Sequence, residues 1–243
     1  MTQDEKLKVY RAQVANLRML DQAWVQQVRS INQLLVKDQK TAVDLASRQL
    51  ALLYCAYAEC AFSKVIHTPY GFSSPHILQI KKAILDAGIT AGWHKALDLG
   101  LRRIVTKREN KEISDIRKKV QGIIKHYIEG PSVLRNKIAH GQWAMALNRQ
   151  NDKVNCELTR ELDAINVVTL TRWRDASQRL AAILELLIES PNRAFRPSYY
   201  FEIQKHAEAL KASEGWSIER RVAQLKLKRS FAKQVSHIVP GEA

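Results

Sequence analysis

Glycine and proline are scarce, at nine and six among 243 residues. A strand-rich fold with many tight turns needs more of both, so the shortage favours long helices. The three cysteines, Cys55, Cys60 and Cys156, are an odd number without a metal-ligand spacing. That argues against a disulfide framework, and Cys55 and Cys60 read as small hydrophobes in a reducing compartment. The longest unbroken apolar run, residues 50–58, is far too short to span a bilayer, and residues 1–6 lack the apolar core of a secretory signal. A cytoplasmic protein without a membrane segment is the expectation. No glycine-rich phosphate loop or Gly-x-Ser-x-Gly elbow is present, which argues against an NTPase or an α/β-hydrolase. His67, His76, His94, His126, His206 and His237 show no HExxH or paired spacing, so neither metal nor cofactor is expected.

Acidic residues are also few. Twenty-four Asp and Glu stand against 39 Lys and Arg, a formal charge of +15. Such an excess implies an anionic partner, with RNA or DNA first, because basic surfaces gain affinity by releasing counterions condensed on phosphates. An acidic membrane surface is the second candidate.

What the chain has in abundance is helical periodicity. Leu7, Tyr10, Val14, Leu17, Trp24, Ile31 and Leu35 mark one face of a long amphipathic helix over 4–37. Over 41–67 apolar residues occur on nearly every side, as expected of the central helix of a bundle. Helical spacing then runs over 76–87, pauses at Gly88 and returns over 90–106, with Gly88, Gly92 and Gly100 either marking a bend or close helix approach or simply tolerated in a helix. Ile113, Ile116, Val120, Ile123 and Tyr127 predict a helix over 110–129. After Gly141 the period changes to two: Trp143, Met145 and Leu147, a turn at 149–152, then Val154, Cys156 and Leu158 predict a small β-hairpin. Thr159 then caps a long helix with a core face from Leu162 to Leu187. The Pro-bearing stretch 190–197 separates this bundle, residues 1–190, from a C-terminal extension over 191–243 with two helices, about 198–212 and 216–236. The second of these carries Arg220, Arg221, Lys226, Lys228, Arg229 and Lys233. A solvated basic face and an RNA-binding arm both account for that cluster. Tyr199, Tyr200 and Phe201 have the rings to stack on bases, with packing against the bundle as the alternative.

The chain is organised around Ser132-Val133-Leu134-Arg135-Asn136-Lys137-Ile138-Ala139-His140-Gly141, entered by the breaker pair Gly130-Pro131. Pro131 suits a first helical turn, so a short helix is predicted from about Ser132. At 100° per residue Asn136 and His140 share a face and Arg135 lies at its edge. A planar, permanently charged phosphate-binding group is therefore beside an imidazole, the side chain that ordinarily exchanges protons near neutral pH. On the apolar helix before it, Glu59 is the only charge between Gln49 and Ser63. It either pairs with a core arginine or caps backbone, or it faces Arg135 and His140 and orients them.

The spelling Arg-Asn-x-x-Ala-His-Gly at 135–141 resembles the active-site signature of the HEPN superfamily of metal-independent ribonucleases. The motif covers about ten residues, and the all-helical architecture extends the resemblance over 1–190. It implies an all-α, HEPN-like helical bundle in which Arg135, Asn136 and His140 are catalytic, Glu59 is the acidic residue often found on the matching helix, and Lys137 adds positive field for RNA. It also implies a homodimer with a composite site, and a toxin or antiviral defence effector with an antitoxin or regulatory protein as partner. One subgroup is controlled by modification of a tyrosine two residues after the motif histidine. Gln142 stands there in this chain, so that control is not implied. The competing expectation is a non-catalytic helical RNA-binding or assembly module.

Overall fold

The computed structural model describes the backbone of residues 1–104 and 111–238 and side chains within that range through Arg229. The expected helix ends at Thr106 and Asn110, and the side chain of Lys233, lie outside the described residues. Nine α-helices are described: α1 Gln3–Val36, α2 Lys40–Ile66, α3 Ser74–Leu101, α4 Lys111–Ile124, α5 Gly130–Ala139, α6 Cys156–Asp163, α7 Val167–Glu189, α8 Arg196–Ser213 and α9 Ile218–Ile238. The chain is all-α among the described residues, and none of these helices is long and apolar enough to cross a membrane.

Helix α1 starts on a capping box, with Thr2 accepting from the Glu5 amide at 3.2 Å and Glu5 accepting from the Thr2 amide at 2.7 Å. Helix α2 is the centre, as its all-round apolar sequence predicts: Leu50, Tyr54, Phe62 and Val65 are each at most 1% exposed. It packs against α1, α3, α5 and α7. Among the polar exceptions on α2, Lys64 pairs with Glu185 of α7 at 2.7 Å, while the buried Ser47 hydroxyl has no hydrogen-bond partner among the described residues. Gly88 adopts φ +83° and bends α3, while a methyl on Gly100 would lie 2.8 Å from Leu187, so the close α3–α7 approach depends on glycine there.

Three expectations need correction. Gly130-Pro131 does not break the chain. Helix α4 runs through a π-turn, Lys125–Glu129, straight into α5. Pro131 has no N–H for the carbonyl of Tyr127 four residues back, and the Tyr54 hydroxyl of α2 donates to that carbonyl instead. With its one orphaned acceptor satisfied, the helix tolerates the proline. Tyr54 is 1% exposed, and burial holds its phenol well above the usual range, so it stays the donor at physiological pH.

The β-hairpin does not form. Its segment has a single antiparallel bridge, Leu147 to Val154, and no strand is present among the described residues. Side chains displace the ladder: Asn148 donates to Asp152 at 2.6 Å, Trp143 donates its indole N–H to the Ile138 carbonyl at 2.8 Å, and Asn155 caps α6 from Cys156 onward. For the same reason Thr159 is not a cap. It lies inside α6, and α7 begins after a break at Asn166, whose side chain accepts from the Val168 and Thr169 amides.

The C-terminal extension leans on the bundle. Phe195 and Tyr199, each 1% exposed, join its core, so Tyr199 takes the packing role while Tyr200 and Phe201 stay exposed. Helix α9 lies against α1 through Arg221, which donates to Asn32 at 2.9 Å.

Removing the Tyr54 hydroxyl tests the account of the continuous helix. Tyr54→Phe should lower the unfolding free energy by about 1 to 3 kcal/mol, the cost of a buried unpaired carbonyl. Chemical denaturation measures it, and a change below about 0.5 kcal/mol would mean that the carbonyl finds another donor.

Candidate active site

Helix α5 meets α2 through Pro131, Leu134 and Ile138, all buried, and this turns the remaining positions outward in a graded way. Arg135 is half-buried at the seam, whereas Asn136 and His140 are exposed. Across the seam Arg135 donates to Glu59. Both members touch solvent, with side chains 32% and 44% exposed, and such pairs contribute only about 0 to 1 kcal/mol. The contact therefore orients the guanidinium more than it stabilises the fold. Of the two alternatives for Glu59, the arginine it meets belongs to the motif itself. His140 is not brought to it: the imidazole has no hydrogen-bond partner among the described residues.

Below Arg135 lies Cys55, a residue that reads in sequence only as a small hydrophobe. Burial pushes its thiol up to about 12, with Arg135 pulling it down and Glu59 pushing it up. It remains a neutral thiol, 3.7 Å from the Pro131 carbonyl, and packs beneath the arginine without being a nucleophile at neutral pH.

The end of α5 explains the His-Gly pair. His140 is the C-cap, Gly141 adopts φ +80°, the Gln142 amide donates to the Lys137 carbonyl at 2.9 Å and the Gly141 amide to the Ile138 carbonyl at 3.1 Å. This is the two-bond Schellman stop, which needs a left-handed residue just after the cap. Gly141 thus ends the helix at His140 and leaves the imidazole projecting from its last turn.

The loop that follows is tied down by groups with no obvious signal in sequence. Lys137 donates to the Leu147 carbonyl at 2.6 Å, so its ammonium holds the loop while adding charge nearby. Gln142 accepts from the Leu147 amide at 2.7 Å, giving that position a structural use. Arg48, 6% exposed, donates to the Trp143 carbonyl at 3.3 Å and pairs with Asp163 at 3.4 Å. A charge on the apolar helix α2 was the available clue to Arg48, but its partners lie 95 and 115 residues away.

Of the basic residues on α9, Arg221 is engaged with Asn32 and Arg220 with the Gly215 carbonyl at 2.9 Å. Lys226, Lys228 and Arg229 are exposed. No group of three or more His, Cys, Asp or Glu side chains able to hold a metal ion occurs among the described residues. Compared with protein-family models, curated proteins and solved structures, the chain matches none.

Proposed function

We propose that this chain is a metal-independent RNA endonuclease of the HEPN type, acting as a toxin or antiviral defence effector in the cytoplasm. The observation that carries this reading is the Glu59–Arg135 pair. A carboxylate from the central helix orients the guanidinium of the very helix whose exposed last residue is His140. In the reaction His140 takes the proton of a ribose 2′-OH, and the oxygen attacks the adjacent phosphorus. Arg135 holds the negative charge that grows on the phosphoryl oxygens, and Asn136, exposed on the same helix, adds a hydrogen bond to phosphate or imidazole. The P–O5′ bond breaks as the 5′ oxygen receives a proton, leaving a 2′,3′-cyclic phosphate and a 5′-hydroxyl.

The attacking and leaving oxygens need a base and an acid, and one protomer's motif contains a single histidine. A second copy with its α5 facing the first across a two-fold axis completes the set. The outward positions of α5 support that arrangement: Val133, Asn136 and His140 are exposed on adjoining turns, with exposed Met145 in the following loop. An antitoxin or regulatory protein bound over the same surface would silence the site. A non-catalytic RNA-binding module is the second reading, favoured by Lys137 being engaged with backbone and by the exposed basic cluster on α9.

Bulk RNA incubated with the protein in EDTA decides between them. Cleavage to 2′,3′-cyclic phosphate ends is expected, and intact RNA after binding would leave only the second reading. Glu59→Gln keeps a hydrogen-bond acceptor but removes the charge, and should lower kcat/KM about tenfold through a less ordered arginine. An unchanged or higher value would show that Glu59 does not position Arg135. Replacing Lys226, Lys228 and Arg229 together by Ala should reduce the slope of log affinity against log salt by about 2, the share of three phosphate contacts on a single strand. An unchanged slope would make that face a solvated one.

A further inference from the structure

A second cluster of unused polar groups lies between α7 and α8, away from the motif. Arg172, Asp175 and Arg179 occupy positions i, i+3 and i+7 of α7 and so share one face. They line a cleft of about 200 Å³ with His206 of α8 and Trp216 of the α8–α9 link. Both arginines are half-buried, and neither closes an ion pair or hydrogen bond among the described residues. His206 is 5% exposed and both of its ring nitrogens lack a partner. Two guanidiniums against one carboxylate leave the cleft with a net positive charge. Burial, aided by Arg179, keeps the His206 ring neutral, so it has one donor and one acceptor unspent. Buried polar groups are normally satisfied, and a buried imidazole with both nitrogens unspent beside two unpaired guanidiniums points to a missing ligand.

The size narrows the ligand. About 200 Å³ accommodates a phosphoryl group and part of a sugar, and the rest of the molecule must lie at the mouth, where Trp216 is 48% exposed. We propose that this cleft binds a nucleoside phosphate, its phosphoryl group held between Arg172 and Arg179 and its base stacked on Trp216. His206 hydrogen-bonds to the phosphoryl or sugar oxygens. Asp175, which lines the same cleft, is placed to accept from a ribose hydroxyl. A second hollow of about 220 Å³, lined by His126, Tyr127, Thr169, Arg172 and Trp173, shares Arg172 and includes Tyr127 of the π-turn before α5. Arg172 thus lies between the two hollows, and the assignment holds whether or not the chain cleaves RNA.

The nucleoside phosphate is either a free nucleotide or a unit of an RNA strand, and binding measurements separate the two. AMP, adenosine, inorganic phosphate and a ten-nucleotide single-stranded RNA are titrated against the unaltered protein and three variants: Arg172→Ala/Arg179→Ala, Trp216→Ala, and the charge-matched Arg11→Ala/Arg18→Ala, whose side chains are exposed on α1. AMP is expected to bind at least tenfold more tightly than adenosine or phosphate, and to shift the ring-proton resonances of His206. Arg172→Ala/Arg179→Ala should weaken AMP and RNA at least tenfold beyond the charge-matched control. Trp216→Ala should weaken both about tenfold while sparing inorganic phosphate. If RNA alone shows these losses, the natural ligand is a strand. If AMP shows them too, a free nucleotide also occupies the cleft. Equal affinity of the cleft variant and the charge-matched control for both ligands overturns the proposal. So does unaltered binding by Trp216→Ala, a half-exposed position at which folding is not at stake.

Discussion

His140→Ala should reduce RNA cleavage about 100-fold to 10,000-fold while leaving RNA affinity within about twofold of the parent. The imidazole is exposed at the end of α5 and has no hydrogen-bond partner among the described residues, so its removal takes away a proton carrier and no buried contact. The fold should not notice the change. Arg135→Ala should cost activity on the same scale, because the charge on the phosphorane loses its counter-charge. Its stability cost is small, since the lost ion pair with Glu59 is solvent-touched. The two variants differ in one measurable way: the arginine variant loses some ground-state affinity for RNA, and the histidine variant does not. Cleavage by His140→Ala at the parental rate, with an unchanged melting temperature, would remove His140 from the mechanism.

Specific activity should fall on dilution. If two α5 helices form one site, activity per chain follows the dimer fraction. At a protomer concentration tenfold below the dissociation constant only about one chain in seven is dimeric, so activity per chain drops about sevenfold from its plateau. Sedimentation over the same concentrations supplies the dimer fraction independently, and the two curves should coincide. Val133, exposed on the outer face of α5, offers a direct perturbation. Val133→Glu places like charges across an isologous contact, where each change acts twice, and should shift both curves to higher concentration together. A chain that sediments as a monomer yet retains full activity at every concentration would dismiss the composite site. The second proton-transfer group would then have to come from the same protomer, and Glu59, with its carboxylate 44% exposed beside Arg135, would be the candidate.

How much of this was legible beforehand varies with the range of the interaction responsible. The long helix α1 and the core face of α7 follow from spacing alone, because a 3.6-residue apolar period is a local property and burial of that face is its stable outcome, and α2 follows from its all-round apolar run. Leu162, Leu180, Ile183 and Leu187 are buried as their period predicts. The bend at Gly88 was equally local, since φ +83° is open to glycine and strained for other residues. The hairpin at 143–158 was not, although its alternation is clear. A two-stranded hairpin is marginal by itself, and here the Asn148 and Asn155 amides reach the Lys153 and Ala146 carbonyls while the side chains of Trp143, Asn148 and Asn155 make other bonds, leaving a single bridge.

The sequence by itself determined that the chain is helical, basic, and carries one compact Arg-Asn-x-x-Ala-His-Gly stretch ended by a glycine that stops a helix. Only the tertiary structure decided that Pro131 sits inside a continuous helix, because the donor that satisfies the Tyr127 carbonyl belongs to Tyr54, 73 residues away. Tertiary structure also decided that Glu59 meets Arg135 across 76 residues and does not meet His140. Periodicity reports which face of a helix is buried, but not which face of another helix it will meet. Partners so far apart in the chain are chosen by how α2, α5 and α7 pack, and that choice depends on the volumes of the whole core at once.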